Sequence, residues 1–448
     1  MRTLVPARPP TRLGLRFSAS LGVSLRACRD HSWAAVLTIA SALALLVAPD
    51  LSAQSPEGGA APPVVLQGVN VLEGPGLQPR LGVDVVIVDG RVAEIGSGAS
   101  GPTGARILDF SGYWIVPGLI DAHSHLNTLD AARRALESGV TTVRTAGVGG
   151  FADVAIRDAV RAGRLAGPDI LATGVYVTPD IGDGALSDPR LNRFLADRVD
   201  TEEELRALVA VNADHGVDWI KTRGTERAGR PETDPREQVY TESELRAVVE
   251  EAARHGLSVA AHAHGDEGIV AAVRAGVKSI EHGTYASEAT LQLMKERGTW
   301  LVPTLSSVLS FGQPGDYADP ALFLRGQHLA PRRVDMVRRA HALGIPIVVG
   351  VDTDYGPGST ARVARAVTFQ VEELDFDPLY ALQGATSRAA ELLGVEDRAG
   401  HLSVGMDADM IVIDSNPLER IRALQDPLAI LSNGWIVTNR LPFEAVRD

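Results

Sequence analysis

Strand-like apolar runs alternate with amphipathic helical stretches from residue 118 to residue 395, and this alternation limits the possible folds more than any other feature. The runs occupy 120–125, 141–145, 170–177, 219–223, 257–264, 279–282, 300–305 and 345–352, with helical periodicity at 129–138, 242–255, 267–275, 288–297 and 331–343. Parallel strands need a crossover between neighbours, usually a helix. Eight such units predict an α/β chain with a (β/α)8 TIM barrel over 118–395. Loops at 178–199, 224–240 and 306–330 are long for such a barrel, which marks them as lids or specificity elements.

The two ends of the chain follow another rule. Short β-rich stretches at 64–71, 83–95, 106–116, 408–413 and 429–437 lack intervening helices, with Asp89-Gly90 and Asn433-Gly434 as hairpin turns. They predict a small β-sandwich domain built from 64–117 and 396–448. Residues 1–53 combine an Arg-rich start, an uncharged apolar run over 33–48 and the small pair Ser52-Ala53, the layout of a secretory signal peptide. Residues 54–63 read as a flexible lead-in. The expected product is exported, periplasmic or extracellular, and not held at a membrane after signal removal. The single cysteine, Cys28, lies in the leader, so thiol chemistry and disulfides are excluded from the mature chain. The whole chain carries a net charge of −13, which argues against nucleic-acid binding.

The polar residues at the strand ends carry the chemistry. His123 and His125 close the first run, and alternation along a strand aims both imidazoles to one side, as a zinc-type cation needs. His262 and His264 end the fifth run, His282 the sixth and Asp352 the eighth. Five of the 11 histidines therefore fall at three strand ends, where a barrel gathers its functional groups. Lys221 ends the fourth run and is one of only three lysines among 43 basic residues, the others being Lys278 and Lys295. In a chain that otherwise uses Arg, a buried Lys implies an amine that must lose a proton and react. Beside two cations it can add carbon dioxide and become a bridging carbamate. His262 and His264 share a strand face, so parity does not choose between them as ligand.

The motifs Val116-Pro117-Gly118-Leu119-Ile120-Asp121-Ala122-His123-Ser124-His125, Trp219-Ile220-Lys221, His262-Ala263-His264-Gly265, Ile280-Glu281-His282-Gly283-Thr284 and Gly405-Met406-Asp407-Ala408-Asp409 resemble the amidohydrolase superfamily, in particular its imidazolonepropionase-like and prolidase-like (Xaa-Pro dipeptidase-like) metal-dependent hydrolases. The resemblance implies two divalent metal ions, with zinc the expected metal: His123 and His125 on one, His262 and His282 on the other, carbamylated Lys221 bridging, and Asp352 beside the metal-bridging hydroxide as ligand and catalytic proton carrier. It also implies a homo-oligomer and a small-molecule or dipeptide substrate, cleaved at an amide or peptide C–N bond as by a dipeptidase or carboxypeptidase acting on dipeptides or N-acyl amino acids. His264, Tyr285, Arg223 and Arg144 are candidate substrate contacts. The chain departs from the pattern at Thr145, where relatives often carry Asp, and at Ile181-Gly182-Asp183-Gly184, where many carry Gly-Gly-His. A lactonase or phosphoesterase on the same dinuclear centre, a mononuclear deaminase and a catalytically silent barrel scaffold are the competing readings.

Overall fold

Residues 219–223 show in miniature why the chain folds as it does: five residues, all buried, followed after a loop by the helix Glu242–Arg254, which buries Leu245, Ala247, Val248 and Ala252. Thr241 caps that helix and Glu244 reciprocates on the backbone of the cap, which fixes where the strand-to-helix connection ends. The computed structural model describes residues 61–307 and 319–441. The predicted signal peptide and all but the last three residues of the lead-in lie outside them. Among the described residues, no helix is long and apolar enough to cross a membrane.

Strands β1 (Val64–Glu73), β2 (Gln78–Val88), β3 (Arg91–Gly96), β4 (Arg106–Asp109) and β5 (Trp114–Pro117) come from the first part of the chain. Seven parallel strands follow: β6 (Leu119–Ser124), β7 (Val140–Thr145), β8 (Asp169–Leu171), β9 (Trp219–Arg223), β10 (Ser258–Ala263), β11 (Ser279–His282) and β12 (Trp300–Val302). The last three are β13 (Met410–Ile413), β14 (Ala429–Ser432) and β15 (Trp435–Asn439).

The parallel strands form two ladders, β6-β7-β8 and β9-β10-β11-β12. Regular pairing does not close them into one barrel. The expected eighth strand is not a regular strand, and it joins its neighbours through single parallel bridges, Leu301 to Ile347 and Ser124 to Thr353. A further bridge, Val177 to Thr222, links the third segment to β9. At Gly350 the eighth segment passes close to the first strand, where a Cβ would sit 2.6 Å from that of His123. The chain can pass so close to the first strand only without a side chain. The architecture is thus a TIM-barrel-like α/β arrangement whose ring is completed by isolated contacts. The expected start of the last barrel helix at 331 is also corrected: the helix is Pro320–Ala342, with Asp319 as its cap and Pro331 inside it, so part of the expected loop 306–330 is helical.

Both chain ends contribute to one eight-stranded sheet, in the order β15-β14-β13-β5-β1-β2-β3, with β4 beside β1. This continuous hydrogen-bonded sheet surrounds a core that includes Leu66, Val85, Phe110, Met410 and Leu431. Asp89 and Gly90 both have positive φ, 51° and 77°, as do Asn433 and Gly434, 48° and 77°, so both hairpins turn where the dipeptides predict.

Asp409 ties this sheet to the parallel strands. Its carbonyl accepts from the Gly118 amide at 2.9 Å and its carboxylate from the Asn433 amide at 2.7 Å. Burial, with Asp407 and Asp169 nearby, pushes its pKa up to about 7 against hydrogen bonds that lower it. A carboxyl whose pKa is raised on folding makes the folded state the tighter proton binder, so its stabilising contribution is full below about 4 and is lost as pH rises to about 7. Asp409→Asn is therefore expected to gain on the wild type by about 2 to 4 kcal/mol between pH 4 and pH 8. Thermal melts at the two pH values check this, and parallel pH dependence of the two proteins would reject it.

Candidate metal centre and active site

The strand ends converge on a cavity of about 640 Å³ lined by His123, His125, Lys221, His262, His264, His282 and Asp352. That volume suits a small ligand. The described residues contain two groups whose ligand atoms lie within 4.8 Å of one another: His123, His125 and Asp352, and His262, His264 and His282. His282 and Asp352 hold positive φ of 73° and 54° at their strand ends, and so does the β-branched Thr304, at 45°. Such backbone is costly for residues other than glycine and clusters at functional sites.

Hydrogen bonds at the outer nitrogens decide what the inner ones can do. His123 Nδ1 lies 2.5 Å from Glu281 Oε2, and His125 Nδ1 lies 2.9 Å from the Gly147 carbonyl. Both partners accept only, so these nitrogens carry the protons and a neutral ring turns a lone pair inward at Nε2. Those two Nε2 atoms face Asp352 Oδ1, at 3.5 Å and 3.1 Å. Lone pairs converging on a carboxylate oxygen form a donor set for a cation, and the residues present fit a divalent metal with imidazole and carboxylate ligands. His262 repeats the pattern: its Nε2 donates to the Glu226 carbonyl at 3.1 Å, which leaves Nδ1 as the lone-pair nitrogen.

His264 is the opposite case. Arg333 Nε donates to Thr284 Oγ1 at 3.0 Å, Thr284 Oγ1 lies 2.8 Å from His264 Nδ1, and an Arg333 terminal N–H points at the same nitrogen from 3.3 Å. A guanidinium can only donate, so Nδ1 accepts and the proton of the neutral ring sits on Nε2. His264 is arranged as a donor and His262 as a ligand.

The charges agree with a site prepared for cations. Burial pushes the pKa values of His262, His264 and His282 well below the ordinary imidazole value, with Lys221 adding to the effect at His262. Burial likewise lowers the Lys221 amine to about 8, against the attraction of Glu281. Glu281 is wholly buried and would be raised by that burial, but Arg144, with its Nη2 2.8 Å away, and His123 hold it well below the usual carboxylate range.

Three expected substrate contacts do not reach the cavity wall. Arg144 is fully buried, bound to Glu281 and Ser279 and 4.8 Å from the Trp219 ring, because the charge of Glu281 needs a permanent partner. Arg223 is spent on Glu226 at 3.2 Å. Tyr285 packs with Ala228 and Leu329. Of the four candidates only His264 lines the cavity. Sequence reasoning missed Tyr176, Thr178, Arg227 and Arg333, which do line it. Thr178 and Arg227 lie in loops marked as specificity elements and Tyr176 within the third strand run, but nothing in their residue types singled them out. The departure at Thr145 is locally compensated: its hydroxyl donates at 2.7 Å to Asp153 Oδ2, from the helix Ala152–Arg161.

The Amidohydrolase family model matches residues 114–438. The chain belongs to the amidohydrolase family. This amidohydrolase is 29% identical over 399 residues to ochratoxinase of Aspergillus niger, covering 79% of this chain and 82% of that protein. It is 28% identical over 417 residues to imidazolonepropionase of Polaromonas sp., covering 80% and 89%. A solved Xaa-Pro dipeptidase with methionine bound in its active site superposes with a TM-score of 0.74 at 27% identity, covering 84% of this amidohydrolase and 99% of the dipeptidase. Family and relatives together make this chain an enzyme, a hydrolase of amide C–N bonds with a metal-binding site.

Proposed function

We propose that the enzyme cleaves the amide bond of dipeptides or N-acyl amino acids, outside the cytoplasm after export, with two divalent cations, zinc by the character of the donors. The single observation that carries this reading is the convergence of imidazole lone pairs on Asp352, described above. His123 and His125 would hold one cation and His262 and His282 the other, with Lys221 as the bridge once its neutral amine has attacked the carbon of carbon dioxide, formed an N–C bond and released one proton. Two such cations would supply Lewis acidity and a water acidic enough to act near neutral pH.

The protein's own groups do the rest. Asp352 accepts the proton of the attacking water and returns it to the leaving nitrogen as the C–N bond breaks. His264 Nε2–H donates to the carbonyl oxygen as negative charge develops there, held in that tautomer by Thr284 and Arg333. The similarity to a Xaa-Pro dipeptidase and to ochratoxinase supports this class of substrate.

The test is a hydrolysis panel of N-acyl amino acids, Xaa-Pro and Xaa-Arg dipeptides, lactones and phosphoesters, with metal quantified in parallel. Turnover confined to lactones or phosphoesters would overturn the amide reading. Lys221→Ala is expected to lower metal content from about two per chain toward one and turnover by about 10²-fold or more. Lys221→Arg should fail equally, since a guanidinium cannot form the carbamate. Unchanged metal content in both would remove the bridge from the mechanism.

A further inference from the structure

Two wholly buried polar residues stand behind the cavity without lining it. Asp121 lies in β6 and Tyr355 follows Asp352 by three residues, and both are 0% exposed. The Asp121 carboxylate meets three donors: Oδ1 accepts from the His123 amide at 3.0 Å and the Val351 amide at 3.1 Å, and Oδ2 from the Tyr355 hydroxyl at 2.8 Å. None of the three is charged. A carboxylate is expensive to bury, and an apolar side chain would fill the same space at lower cost. What Asp121 adds is the placement of its bonds.

That placement centres on Asp352. Asp121 precedes His123 by two residues, Val351 immediately precedes Asp352, and Tyr355 lies beyond it. One carboxylate therefore grips the backbone at His123 and the chain on both sides of Asp352. Asp352 and Tyr355 both hold positive φ, 54° and 53°. Such backbone persists only where its surroundings over-determine it. Here Arg134 Nε, from the helix Leu129–Glu137, donates to the Tyr355 carbonyl at 2.5 Å, and the Tyr355 amide donates to Thr353 Oγ1 at 3.2 Å. Amide, carbonyl and hydroxyl of Tyr355 are all committed to holding this loop, away from any substrate.

We infer that Asp121 and Tyr355 are positioning residues, whose hydrogen bond sets where the Asp352 carboxylate lies against His123 and His125. The inference rests on Asp352 as proton carrier for its effect on rate, but not for its effect on position. Removing the Tyr355 hydroxyl leaves a buried carboxylate oxygen without a donor, a costly state that a shift of the loop would relieve. A displacement of about 1 Å is enough to slow a reaction by up to about 10²-fold.

The test compares wild type, Tyr355→Phe, Asp352→Asn and the double variant, each full-chain and loaded with zinc, on N-acetyl-L-leucine and L-leucyl-L-proline. Tyr355→Phe keeps the ring and is expected to lower kcat at least about tenfold, with KM within about twofold of the wild type. Added to Asp352→Asn it should cost nothing more, because a residue that acts through another has no separate effect once that one is gone. Crystal structures of wild type and Tyr355→Phe should differ by about 0.5 to 1 Å in the position of the Asp352 carboxylate relative to His123. Asp121→Ala should lose at least as much turnover as Tyr355→Phe. Asp121→Asn should recover most of that loss, since its oxygen still serves the two amides and its own N–H can meet the Tyr355 oxygen. An Asp352 carboxylate that stays in place in Tyr355→Phe, an equal further loss in the Asp352→Asn background, or a change confined to KM would overturn the positioning role. A displaced carboxylate with undiminished turnover in both Tyr355→Phe and Asp352→Asn would uphold it and count against proton carriage by Asp352 alone.

Discussion

Replacing Asp352 with Asn is expected to reduce kcat by about 10³-fold while metal content per chain stays close to that of the wild type. The side chain lies within 3.1 Å of His125 Nε2 and 3.5 Å of His123 Nε2, and its backbone amide donates to the His123 carbonyl at 2.8 Å. That bond and the positive φ of 54° fix the residue whether it bears a carboxylate or an amide. An amide of the same shape can still offer an oxygen to a cation, but it cannot carry a proton from water to a departing nitrogen. The loss should therefore appear in kcat, with KM little changed. Elemental analysis alongside steady-state kinetics checks the pair of expectations, and a fully active Asp352→Asn enzyme would remove the residue from its proposed role.

The second large effect is expected at Glu281. Its two carboxylate oxygens are divided between His123 Nδ1 and Arg144, with Ser279 adding a bond at 2.6 Å. Glu281→Ala leaves the Arg144 charge buried without its partner, a change expected to cost about 3 to 5 kcal/mol of stability. It also frees the His123 ring from the bond that sets its tautomer, so metal affinity should fall by about 10- to 100-fold. Pairing Glu281→Leu with Arg144→Met should recover much of the stability, because no charge is then stranded, but not the metal affinity. Thermal melts and competition with a chelator separate the two contributions. Equal recovery of both would mean that Glu281 acts only as a counterion.

Strand ends and their histidines were legible in the sequence because short continuous apolar runs mark strands buried on both faces, and each of these runs stops at a histidine, lysine or aspartate. β9 and β11 have the predicted limits, and the ligand-type residues line one cavity. What stayed hidden depended on tertiary partners. His262 and His264 are two residues apart on one strand face, and only the Glu226 carbonyl on one side and Arg333 on the other tell a ligand from a donor. Arg144 and Arg223 read as possible anion binders until their permanent partners, Glu281 and Glu226, came into view. Arg227 and Arg333 looked like any two of forty arginines, because lack of a counterion is a property of space and not of order in the chain. The eighth run of β-formers forms no regular strand; it lies against the first strand through the Ala122–Val349, Asp352–His123 and His125–Thr353 backbone bonds, contacts between distant segments that a run of β-formers does not reveal.

β5 lies between β1 and β13, and β13 is separated from it by the whole series of parallel strands. A chain made from its N-terminus must therefore assemble the catalytic half while Trp114–Pro117 still presents one unsatisfied backbone edge to any passing strand. Arrival of Met410–Ile413, rather than completion of the active site, is the event that closes that edge.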